Sequence, residues 1–148
     1  MAEINRQQLI LALIPAGPNP RLSGVDLSAL DMTRLNLEGA QLRGANLQAA
    51  NLREAVVRSA SLPYANLTVI QAVGTDFNGA NMTGVNLSGA NLQGARLTSA
   101  NLAGANLSDA NLLDSNLSGS NVDGVRFNEA TVWPDGKKGS RGNPAEYV

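Results

Sequence analysis

Ala45-Asn46-Leu47-Gln48-Ala49-Ala50-Asn51-Leu52-Arg53-Glu54 states one five-residue pattern twice, and most of the chain is written in the same register. An apolar residue recurs every fifth position, with no insertion or deletion, from Leu22 and Leu27 through Leu117, Val122 and Phe127 to Val132. Two residues before most of these centres stands a small residue, as at Ala40, Ala60, Ala80 and Ala100. The residue just before the centre is usually Asn, as at Asn46, Asn66, Asn86 and Asn106, and Gly is common two after it, as at Gly44, Gly84 and Gly104.

A period of five suits neither standard element. On a helix at about 100° per residue each centre would move about 140° from the last and leave no apolar stripe. In a flat strand an odd period sends successive centres to opposite faces. The two-residue step from Ala to Leu does fit a short extended piece with both side chains on one side. The polar and Gly positions must then turn the chain so that the next pair also points inward. The chain is therefore expected to coil around its own leucines.

These residues resemble the A-(N/D)-L-X-X pentapeptide repeat proteins, as in Ala45-Asn46-Leu47-Gln48-Ala49 and Ala90-Asn91-Leu92-Gln93-Gly94. The resemblance covers roughly three-quarters of the chain. It implies an all-β fold, a right-handed quadrilateral β-helix with four pentapeptides per coil, nearly six coils in this chain, and no cofactor. At the β spacing such a solenoid would stand roughly 28 Å tall. Residues 20 apart would stack, which sets Arg34 beside Glu54, Glu38 beside Arg58 and Asp76 beside Arg96 as surface pairs of opposite sign. Ala72 is the one small centre. Ile70 and Phe77 beside it supply the missing volume, so a repacked layer is expected there and not a ligand cavity. The Asn column reads as structural, each amide serving turn backbone and its neighbours.

Three segments follow. Residues 1–20 are read as a helical cap and connector, residues 21–133 as the solenoid and residues 134–148 as a polar tail. In the first, Ile10, Leu13 and Ile14 share a face at helical spacing, and the helix is expected to stop before Pro15 and to cover the open first layer of repeats. At the other end, Trp133 is expected to point outward and pack on Leu113, with Pro134 and Asp135-Gly136 breaking the register and a mobile run from Lys137 onward.

Composition narrows the chemistry. With neither cysteine nor histidine in 148 residues, disulfides, thiolate and imidazole ligation and every Cys- or His-based nucleophilic scheme are excluded. Scattered outward carboxylates and no evident cleft leave no candidate catalytic, metal or cofactor-binding residue, so the chain is read as non-enzymatic. A formal charge of −1 gives no reason to expect nucleic acid. No stretch reads as an export signal or a membrane span, which points to the cytoplasm.

Function, on this reading, lies on the outward positions. Where polar or small residues are usual, Val56, Pro63, Tyr64, Val69 and Val73 are apolar or aromatic. Such clusters mark interaction sites, so these five are the candidate patch and the expected partner is a protein bound to a rigid scaffold surface. The alternative comes from the family, some of whose members mimic duplex DNA and bind DNA gyrase. Their acidic surface is poorly matched here, because six arginines and nine carboxylates are mixed between Leu22 and Thr131.

Overall fold

The computed structural model describes residues 4–148. Four columns of parallel pairing run the length of the repeats, starting at Arg21–Gln41, Asp26–Asn46, Asp31–Asn51 and Asn36–Val56, and each column advances by 20 residues. These columns define the first to fourth sides of a square solenoid. Each pairing residue bonds the coil below through both of its main-chain groups. The Asn66 C=O accepts from Leu47 N–H at 2.7 Å, and the Asn66 N–H donates to the Ala45 C=O at 2.9 Å.

Corners follow from the same pattern. The centre C=O accepts from the N–H three residues on, as from Ala50 to Leu47 at 2.9 Å, closing a four-residue turn. Its third residue takes a positive φ, +62° at Gly84 for example, which is why Gly recurs two after the centre. The turn brings the next Ala-Asn-Leu step round, so every centre faces the axis. From Leu27 to Leu112 the centres are buried, with the Ala column packed between them. Ala72, Ile70 and Phe77 are all fully buried in one layer.

Asn makes two kinds of bond, one within its own corner and, at Asn46 and Asn66, one to the coil below. Asn46 Oδ1 accepts the Gln48 N–H at 3.2 Å and the Asn66 amide at 3.2 Å, while the Asn46 amide donates to Asp26 Oδ1 at 3.2 Å. One amide thus stiffens its own corner and ties adjacent coils.

The last coil departs from the expected register. Asn111 pairs with Val132, 21 residues on and not 20. One extra residue is therefore absorbed between Arg126 and Val132, by a turn in which Asn128 Oδ1 accepts the N–H groups of Ala130 and Thr131. As a result Thr131 takes the Ala column, Val132 the Asn column and Trp133 the centre. Trp133 is fully buried and Ala130 exposed, which reverses the expectation of an outward Trp133. Thr131 Oγ1 donates to the Leu107 C=O at 2.8 Å, just as Thr75 Oγ1, at the same repeat position on the next side, donates to the Leu52 C=O at 2.6 Å. These two threonine hydroxyls are tolerated at the Ala position because each finds a buried carbonyl, whereas the buried Ser115 and Ser120 hydroxyls at the same position have no partner.

Nor is the polar tail loose along its length. The Trp133 indole N–H donates to the Gly139 C=O at 2.9 Å, and its ring stacks on Tyr147 at 5.7 Å and meets Phe127 edge-on at 5.2 Å. The Tyr147 hydroxyl bonds Asp135 Oδ1 at 3.0 Å. Burial, with that bond second, pushes the Tyr147 phenol up to about 12. The tail is ordered because a large aromatic at the open end needs cover.

At the opposite end, α1 (Arg6–Ala16) begins at Asn5, whose side chain accepts the Gln8 N–H while Gln8 answers the Asn5 N–H. It continues through Pro15 and does not stop before it. In the last turn that ring removes only one helical bond, to the Leu11 C=O. The docked residue is Leu9, fully buried, with Leu13 partly so, whereas Ile14 is 75% exposed. The inward face is thus centred one residue earlier than Ile10, Leu13 and Ile14 implied. Arg6 fastens the helix by donating to the C=O groups of Asp31 at 2.8 Å and Thr33 at 2.9 Å.

Of the charge pairs, Arg34–Glu54 forms at 2.6 Å and Arg96–Asp76 at 3.7 Å. Arg58 turns away from Glu38 to reach Asp76 at 3.2 Å. The Asp76 side chain is only 11% exposed, and a carboxylate so desolvated holds a guanidinium more strongly than a surface glutamate does.

Candidate functional site

Tyr64 and Val69 stand at the two corners that bound the second side, with Asn66 and Thr68 between them. Tyr64 is 63% exposed and Val69 47%, the largest apolar exposures in the repeats. The Tyr64 ring leans over Gly84, where any Cβ would meet its Cδ1 and Cε1 atoms, and Val69 Cγ1 covers Gly89 in the same way. Gly44, below Tyr64, is left bare. Instead the Arg43 guanidinium sits 5.6 Å from the Tyr64 ring centroid, a cation–π contact that fixes the ring's position.

Both residues hold the positive φ that suits Gly, +60° at Tyr64 and +52° at Val69. Val69 is the only β-branched residue so placed among the described residues. Such a conformation costs about 1–2 kcal/mol at a non-Gly position, with branching at Cβ adding to it.

Between these corners the wall carries no charge. In the coils from Gly44 to Ser108 its outward groups are Asn46, Asn66, Asn86 and Asn106 with Gln48, Thr68, Ser88 and Ser108 beside them. Arg43 and Asp109 mark its edges.

The other candidates lie elsewhere. Pro63 is buried against the wall beside Tyr64. Val73 sits at the corner between the third and fourth sides, in a depression shared with Thr33, Arg53 and the Arg34–Glu54 pair. Val56 belongs to the fourth side, between Asn36 and Asp76. The fold therefore gathers Pro63, Tyr64 and Val69 around one side and separates Val56 and Val73 from them. Arg43 was missed in the sequence; its signal was its place one residue before Gly44, directly under the corner that carries Tyr64.

Among the described residues no group of three or more acidic side chains is arranged to hold a metal ion, and no helix is long and apolar enough to cross a membrane.

The profile of pentapeptide repeats matches residues 21–58, 50–94 and 90–128, in eight copies. The chain belongs to the pentapeptide repeat family. Among solved structures, the pentapeptide repeat protein Rfr23 from the cyanobacterium Cyanothece 51142 aligns with a TM-score of 0.76 at 28% identity, over 84% of this chain and 99% of that one. The pentapeptide repeat protein alr5209 from Nostoc PCC 7120 aligns at 0.61 and 26% identity, over 83% and 95%. QnrB1, described as a plasmid-mediated fluoroquinolone resistance protein, reaches 0.46 at 22% identity over 72% and 59%, a likeness too slight to bear on this chain. A search of curated proteins gives no significant match. The fold is accordingly the right-handed quadrilateral β-helix of this family.

Proposed function

We propose that this pentapeptide repeat protein is a non-enzymatic interaction surface whose second side receives a protein partner. The observation that carries the reading is Val69. A β-branched side chain is kept at a strained φ of +52°, next to an exposed Tyr64, where Gly84 and Gly89 occupy the equivalent corners one coil on. Strain retained beside an exposed apolar group suggests a role outside the fold's own packing. Tyr64 supplies a positioned aromatic anchor, Val69 a second apolar contact, and the Asn, Ser and Thr wall between them amides and hydroxyls that bond without desolvating a charge.

Capture of partners from the source cell on immobilised chain tests this. Tyr64→Ala combined with Val69→Ser should abolish capture of a specific protein while Arg96→Ala, on the fourth side, leaves it intact. Retention by the double variant would refute the assignment. The gyrase-directed alternative finds no support in the charge-free wall, which does not imitate a phosphate backbone.

A further inference from the structure

The outer face of α1 raises a separate question. From Gln7 to Pro20 the chain carries no charge. Leu9 and Leu13 face the solenoid, yet Leu11 is 59% exposed and Ile14 75%. A helix apolar on both faces is the pattern of one covered on both. Beside these protruding residues lies a groove of about 500 Å³, lined by Ile10, Leu13, Ile14 and Leu35 with Glu38 at its rim.

We propose that this face is a two-fold interface, with α1 of a second copy of the chain laid against α1 of the first. Two features select a second copy over other occupants. An isologous contact requires one patch to be complementary to itself, and this patch carries knobs and a hole side by side. Leu11 and Ile14 project from the surface, and the groove next to them is of a size to take such side chains. The rim is self-complementary as well. Arg21 and Glu38 flank the segment that leaves α1, are exposed and opposite in sign, and neither side chain has an ion-pair partner among the described residues. An antiparallel arrangement that sets Arg21 of one copy against Glu38 of the other makes this pair twice, once on each side of the two-fold axis. A lipid surface is a poorer match, because helices that lie on membranes carry a basic face and the one charge of α1, Arg6, is engaged with Asp31 and Thr33.

Sedimentation velocity on the full chain over a wide concentration range tests the proposal. The wild-type chain should pass from monomer to dimer. Ile14→Glu should raise the dissociation constant by at least about tenfold, since its carboxylate would be desolvated without a partner. Ile14 is exposed, so the monomer should keep its circular dichroism spectrum. Arg21→Glu should weaken the dimer and Arg21→Glu with Glu38→Arg restore it. Tyr64→Ala with Val69→Ser should leave the dimer unchanged, which separates this interface from the second-side site. A wild-type chain that stays monomeric at every concentration would overturn the proposal. So would a dimer indifferent to Ile14→Glu, or a monomer that binds anionic vesicles through Ile14.

Discussion

Replacing Trp133 by Ala should release the carboxy-terminal cap while leaving the solenoid folded. Trp133 is fully buried, its indole N–H bonds Gly139, and its ring contacts Phe127 and Tyr147. Truncating a buried Trp costs about 3–5 kcal/mol, and the Gly139 carbonyl loses its partner besides. The loss is local, because a solenoid is held by neighbour contacts and its ends can open alone. Amide hydrogen exchange reads it directly. In the wild type the Gly139 N–H donates to the Thr131 C=O at 2.9 Å, so its exchange should be slow. A penalty of about 4 kcal/mol should accelerate it by roughly a thousandfold, while the Asn66 amide in a central coil is unmoved. Rapid exchange at Gly139 in the wild type, or no change in the variant, would refute the one-residue slip that places Trp133 inside.

Three other outcomes follow from particular residues. Val69→Gly should stabilise the chain by about 1 kcal/mol in urea denaturation, as relief of the positive φ outweighs the lost contact with Gly89. Ala72→Leu, although it restores the usual centre, should destabilise by about 1–3 kcal/mol, because Ile70 and Phe77 already fill the layer. Tyr147 makes the cap sensitive to alkali. Its folded pKa of about 12 lies above the ordinary tyrosine value of 10.0. The cap's contribution should therefore be complete below pH 10 and be lost as the pH rises through 12, seen as a change in the fluorescence of Trp133, the only tryptophan.

The five-residue period carried the fold because the inward half of each repeat obeys packing alone. Ala45, Leu47 and Asn46 need only their spacing to be read as column, centre and pairing residue. Trp133 was misplaced because the period of apolar residues ran on to Val132, while the chain absorbs an extra residue at Asn128–Ala130 to bring a larger ring inside. The same slip turns Thr131 inward, where its hydroxyl meets the Leu107 C=O. The helix end was misread because Pro15 is disfavoured only where the helix must continue. The outward half is less legible. Tyr64 and Val69 stood out as departures from the pattern, but that they bound one side while Val56 and Val73 do not depends on the fourfold stacking of the coils. Arg43 shows the same limit, since its contact with Tyr64 crosses from one coil to the next.

Hydroxyl-radical footprinting tests most directly whether the second side is the working surface, because it reports side-chain exposure in the free chain and in the captured complex. Tyr64 should oxidise readily when the chain is free and be protected together with Val69 when the partner is bound, with Val73 and Leu113 unchanged. Protection confined to the third or fourth side, with Tyr64 as reactive as before, would contradict the account.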